Sequence, residues 1–167
     1  KLSGGTVTAS NAIIGGGFLG NPGTGGLGTF EQTGGTFQTG FLNMGGGGFA
    51  QKGQGNYTLS SGQLIIDNNL VMGNGVGGTA QFIQTGGSVQ VNSPGFGAYV
   101  QNGTYAMSGG TLNVAHTLFV GFESGYTGNF TQTGSASVTV VTDLTVGGAS
   151  PLTPNIAGIG NYTLGSA

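Results

Sequence analysis

The chain has 167 residues, 40 of them Gly, and only six charged side chains: Lys1, Glu31, Lys52, Asp67, Glu123 and Asp143. Cys, Trp and Arg are absent and there is one His, His116. This composition excludes a disulfide framework and a cysteine metal site, leaves no basic patch for nucleic acid, and offers few of the converging ionisable groups that catalysis needs.

Collagen is excluded because Gly has no strict three-residue period and only four Pro occur. Disorder is disfavoured because 36% of residues are hydrophobic and recur at fixed offsets. No apolar run approaches the ~18 residues of a membrane span.

The offsets define a repeat. In chain order it opens as Leu2-Ser3-Gly4-Gly5, followed by Val7/Ala9 and Ala12/Ile14. The second copy is Phe30-Glu31-Gln32-Thr33-Gly34-Gly35, then Phe37/Thr39 and Leu42/Met44. The third is Tyr57-Thr58-Leu59-Ser60-Ser61-Gly62, then Leu64/Ile66 and Leu70/Met72. The fourth is Phe82-Ile83-Gln84-Thr85-Gly86-Gly87, then Val89/Val91 and a degraded pair, Phe96/Ala98. The fifth is Tyr105-Ala106-Met107-Ser108-Gly109-Gly110, then Leu112/Val114 and Leu118/Val120. The sixth is Phe130-Thr131-Gln132-Thr133-Gly134-Ser135, which carries one extra residue before Val138/Val140 and Leu144/Val146. A last copy starts at Tyr162-Thr163-Leu164. Successive aromatics lie 27, 25, 23, 25 and 32 residues apart.

Every apolar pair has a spacing of two, the strand period, and nothing shows the helical period of 3.6. Gly, Thr, Val, Asn and aromatics are also poor helix formers. Each unit therefore reads as three short strands separated by Gly corners, and length varies mostly before the next aromatic: residues 16–28 and 147–160 are long, whereas residues 101–104 are short. A unit of ~25 residues cannot bury its own apolar side chains, but stacked on copies of itself it can. The expected fold is an all-β parallel β-solenoid (β-helix) of about six rungs, occupying residues 1–167 as a single repeat domain. The aromatics Phe30, Tyr57, Phe82, Tyr105, Phe130 and Tyr162 are expected to form a stacked structural ladder.

The units alternate. Leu2, Leu59, Met107 and Leu164 share one position, with Gln32, Gln84 and Gln132 between them, and Tyr alternates with Phe in step. Two units per rung, giving about three wider rungs, would stack Gln on Gln and satisfy their amides. A duplicated two-rung module explains the same alternation, and we adopt one unit per rung.

The phrase aromatic-x-Gln-Thr-Gly-Gly, a Val/Leu strand, Leu-x-Val-Gly and aromatic-x-Leu-Ser-Gly-Gly resembles the repeat arrays of secreted bacterial surface proteins, the autotransporter-associated β-strand repeats and similar arrays in proteins with PEP-CTERM sorting signals. The resemblance runs from Leu2 to Leu164. It implies a secreted β-solenoid stalk, passenger or matrix component, at the cell surface or outside the cell, and supplies no catalytic residues.

The residues that carry chemistry are sparse. The four acids fall at four different repeat positions, whereas glycosidic hydrolysis needs two carboxyls close together. His116 has no acid or nucleophile partner in the pattern. The repeated Asp of calcium-binding solenoids is missing. No catalytic, cofactor or metal site is expected, and the chain is not expected to be an enzyme. Four Asn-x-Ser/Thr sequons occur, at Asn56, Asn102, Asn129 and Asn161; three of them precede the aromatic, at an expected surface corner suited to a glycan. The motif is open at Leu2 and at Leu164 without a recognisable cap, so the end rungs are expected to stack on one another into a filament. The expected function is a structural subunit of a secreted fibre, stalk or matrix. The alternative is an adhesin that displays the loops at residues 16–28 and 147–160, the first with Phe18, to surface glycans.

Overall fold

Alternating apolar and small residues, interrupted by Gly, bend the chain into strands of 3–18 residues. The computed structural model describes residues 1–16, 25–46, 52–74, 77–95, 97–123, 125–149 and 157–166. In chain order the strands are β1 (Thr6–Ile14), β2 (Leu27–Met44), β3 (Gln54–Ile66), β4 (Leu70–Met72), β5 (Thr79–Gln84), β6 (Ser88–Val91) and β7 (Gly97–Val100). They continue as β8 (Gly103–Met107), β9 (Thr111–Val114), β10 (Thr117–Val120), β11 (Thr127–Gln132), β12 (Ser137–Val140), β13 (Leu144–Val146) and β14 (Ile159–Leu164).

All strand pairs are parallel, and they sort into three faces of a β-solenoid. The first face stacks residues 27–32 of β2, residues 54–59 of β3, then β5, β8, β11 and β14. The second stacks β1, β2, β3, β6, β9 and β12. The third stacks β1, β2, β4, β7, β10 and β13. Six strands per face correspond to about five full turns of coil. β1, β2 and β3 run through corners that break the chain into separate strands higher in the stack.

The register settles the rung size. Leu2 pairs with Gln32, and then Gln32 with Leu59, Leu59 with Gln84, Gln84 with Met107, Met107 with Gln132 and Gln132 with Leu164. One repeat unit makes one coil, and Gln lies on Leu or Met, so the wider two-unit rung does not form. The core is the column of inward residues, among them Leu42, Leu64, Leu70, Phe82, Val89, Leu112 and Leu118, all fully buried.

One expectation was misplaced. In the Phe82 coil the third-face pair is Ala98/Val100, not Phe96/Ala98: Ala98 pairs with Leu70 and Val100 with Met72. The turn at Ser93, Pro94 and Gly95 lengthens the preceding corner and shifts the pair by two, and Phe96 lies outside the described residues.

The first corner shows why Gly is required. Gly5, Gly35, Gly62, Gly87, Gly110 and Gly134 all have φ between 58° and 92°, a region that penalises a Cβ. At Gly35 and Gly62 a Cβ would also lie 2.5 Å from the carbonyl oxygen of the corner Gly one coil below.

Candidate functional site

The predicted aromatic ladder forms. Rings from Phe30 to Tyr162 follow one another at centroid distances of 5.1, 4.7, 4.5, 5.0 and 4.8 Å, the step of the parallel strands themselves. The alternation of Tyr and Gln is explained beside it. The Tyr57 hydroxyl donates to Gln32 Oε1 one coil below, at 2.5 Å; Tyr105 does the same to Gln84 at 2.7 Å and Tyr162 to Gln132 at 2.8 Å. Each Gln in turn donates to its own corner: Gln32 to the Gly35 carbonyl, Gln84 to that of Gly87, and Gln132, in the copy with one extra residue, to that of Ala136. Gln32 and Gln84 also donate to the coil above, to the carbonyls of Gln63 and Thr111. The two-coil module is thus a Phe-Gln coil bolted to a Tyr-Leu coil by buried hydrogen bonds. Burial pushes the Tyr57 and Tyr105 hydroxyls far above their ordinary pKa, and the Tyr57 charge adds to the rise at Tyr105.

The acids remain apart in role. Glu31 meets Lys1 at 3.2 Å on the surface, and Asp67 accepts from Gln38 at 3.0 Å. His116 Nδ1 lies 3.0 Å from the Thr117 hydroxyl oxygen. Among the described residues no three of His, Asp and Glu come together. The sequons Asn56, Asn129 and Asn161 do not occupy a corner as expected. They sit inside β3, β11 and β14, in one outward column of the first face, with the Asn161 amide donating to Asn129 Oδ1 at 2.9 Å. The period of two that buries the following aromatic turns the preceding Asn outward within the strand. Asn102 does sit between strands, and its Oδ1 accepts from the Thr127 backbone at 3.1 Å. Of the candidate ligand loops at residues 16–28 and 147–160, residues 17–24, Phe18 included, and 150–156 lie outside the described residues, while residues 27–28 belong to β2 and 159–160 to β14.

The sequence reading missed a groove on the outer side of the third face. Its origin is a break in the third-corner glycine column. Gly15, Gly45, Gly73, Gly121 and Gly147 each follow the last inward residue of a third-face strand, at φ between 63° and 71°. In the Phe82 coil that place is taken by Gln101, and the chain re-enters the first face at Gly103. Tyr126, from the connection above, reaches Asn74, from the connection below, with its hydroxyl 3.5 Å from Asn74 Oδ1.

The resulting groove has a volume of about 260 Å³ and is lined by Asn69, Val71, Asn74, Tyr99, Gln101 and Glu123. Tyr99 stacks on Phe119 of the next coil at 4.7 Å and 13°, and Phe119 meets Phe122 at 4.6 Å. Gln101 is only 6% exposed, and its buried Oε1 has no hydrogen-bond partner. Glu123 has φ 76°, the one positive value at a non-glycine residue among the described residues. Burial, and then the Glu123 charge, raise the pKa of Tyr99. The signals for this groove were the short connection at residues 101–104 and the Gln in a Gly column.

Against known protein families, curated proteins and solved structures, the chain has no match in any of the three comparisons.

Proposed function

We propose that the chain is a structural subunit of a secreted extracellular fibre, stalk or matrix, not an enzyme, and that it assembles by end-to-end stacking of its outer coils. The observation that carries this reading is the character of the two outer layers. β1 at one end, and β12, β13 and β14 at the other, contain no charged residue and no Pro, the usual devices that blunt an edge strand, although residues 27–32 of β2, which complete the first of these layers, carry Glu31, paired with Lys1. At the β14 end the inward positions Leu144, Val146 and Leu164 are 48%, 44% and 72% exposed. The layers also match in register. A second copy placed on this end sets its β1 on β12 and β13, and residues 27–32 of its β2 on β14. Tyr162 then meets Phe30 and Leu164 meets Gln32, the same steps that join the coils inside the molecule. Leu164 takes the place that Leu2 holds beside Gln32 within the chain, so Lys1 to Ser3 give way at the junction. A net charge of −2 opposes such contacts only weakly.

Electron microscopy of the chain at rising concentration tests the reading. Unbranched filaments with an axial repeat of roughly 29 Å, six strand steps of about 4.8 Å, are expected, and replacing Leu164 by Lys should dissolve them. Discrete short rods at every concentration would sink it.

A further inference from the structure

We propose that the groove at Tyr99 and Gln101 binds one unit of a neutral hexose oligomer. The argument begins with an unmet need. A buried carbonyl acceptor without a donor is rare in a folded protein and asks for an explanation, and the Gln101 Oε1 is the one such side-chain atom among the described residues. Other buried Gln side chains of this solenoid, Gln32 and Gln84, use both ends of the amide. Gln101 lines the groove with its Oε1 turned away from solvent, and a half-turn of the amide brings that oxygen to a bound hydroxyl, which supplies the missing donor.

The second observation is the ring beside it. Residues at the outward position of the third face pair across coils as Ile13, Asn43, Val71, Tyr99, Phe119 and Thr145, so two adjacent aromatics interrupt an otherwise non-aromatic row. A half-buried Tyr presents an apolar face with a polar tip. The carbon–hydrogen face of a pyranose covers such a ring, while its rim of hydroxyls finds the amides of Asn69, Asn74 and Gln101, which both donate and accept. The groove volume, about 260 Å³, is below that of drug-sized pockets and suits a single ring of a longer chain.

Charge selects the class of sugar. Among the described residues Glu123 is the only ionic group lining the groove, and no cation lines it. A carboxylate accepts from neutral hydroxyls and repels uronates, sulfates and phosphates. Glu123 lines the groove at a positive φ, a strained placement of the kind found at ligand clamps. The inference does not depend on end-to-end assembly, because the groove lies on the flank.

Isothermal titration of the 167-residue chain with cellohexaose, chitohexaose and mannohexaose tests it, with an oligogalacturonate of equal length as the acidic control. At least one neutral oligomer is expected to bind, and the acidic one at least tenfold more weakly. Tyr99→Ala and Gln101→Leu should each weaken binding at least tenfold. Gln101→Leu should leave the melting temperature unchanged or higher, because it removes an unpaired acceptor. Absence of binding by all three neutral oligomers overturns the proposal, as does binding that both variants leave intact. A marked fall in the melting temperature of Gln101→Leu assigns Gln101 to the fold and overturns its role. Calcium binding lost in Gln101→Leu but kept in Tyr99→Ala, with no sugar bound, overturns it in favour of a cation site.

Discussion

Two aromatic stacks stand on different faces of the solenoid, one inside it and one outside. The inner one runs through six rings on the first face, and the outer one pairs Tyr99 with Phe119 on the third. Their ring spacings agree because both are set by the distance between parallel strands. They differ in their polar neighbours. Along the inner stack each Tyr hydroxyl donates to a Gln, and each of those Gln amides is anchored to backbone. Beside the outer stack, Gln101 is buried with its oxygen unpaired. Similar stacking geometry thus stands in two settings, a closed network inside the solenoid and an open one at the groove proposed above to bind a neutral sugar. The largest test of this contrast is Phe82→Ala, which empties the middle of the inner stack, where the ring is fully buried. It should cost about 3–5 kcal/mol in urea unfolding. A loss below about 1 kcal/mol would show that the coil is held by its backbone ladders and not by the rings.

The next effect separates rings from hydrogen bonds. Gln84→Leu keeps the volume but strands the Tyr105 hydroxyl and removes the donor to two carbonyls. The expected cost is roughly 2–4 kcal/mol. Combined with Tyr105→Phe, which deletes the stranded donor, the total should fall well short of the sum of the single changes, as measured by a double-mutant cycle. Strict additivity would mean that the pair does not act as a unit.

The same network predicts a pH response. Burial raises the pKa of Tyr57 and Tyr105 above the ordinary value near 10. A raised folded-state pKa gives stability that is complete below the unfolded value and is lost as pH rises through it toward the folded one. Melting temperature should therefore be flat from neutral pH to about pH 9.5 and fall steeply above pH 10. In Tyr105→Phe that alkaline fall should be shallower. An equally steep fall would place its origin elsewhere.

Much of the fold could be read in the residues, because a solenoid repeats its inward positions with a period of two and each coil restates them. The ladder from Phe30 to Tyr162 and the extra residue before Val138 were legible for that reason, and Val138 pairs with Leu112 as that reading requires. The Gln alternation was visible, but its reason was not. Amide satisfaction comes from a Tyr one coil away and from corner carbonyls, partners at sequence separations of 25 and 3 in the case of Gln32, so no local pattern contains both. The pair in the Phe82 coil was misplaced because Ser93-Pro94-Gly95 moves length from one corner to another, which leaves the coil closed and the spacing changed. The groove escaped notice because outward residues such as Tyr99 fall between the apolar positions that the periodicity marks. It depends on what a coil lacks relative to its neighbours, and that comparison becomes physical only once the coils are stacked.

The smallest effect is the one that decides the comparison. Phe119 and Tyr99 are each only partly buried, so Phe119→Ala should cost about 1 kcal/mol, from lost apolar contact and the ring pair together. A double-mutant cycle between Tyr99→Ala and Phe119→Ala should return a coupling of about 0.5–1.5 kcal/mol, the worth of one stacked pair. These values lie well under those for Phe82, although the rings are the same distance apart, because the outer pair faces water in the free chain and gives up little on unfolding. If Phe119→Ala cost as much as Phe82→Ala, the outer stack would belong to the framework, and the contrast between a closed inner network and an open outer one would fail. If it cost little while Tyr99→Ala removed sugar binding, stability and recognition would lie on different faces of one solenoid, each altered without disturbing the other.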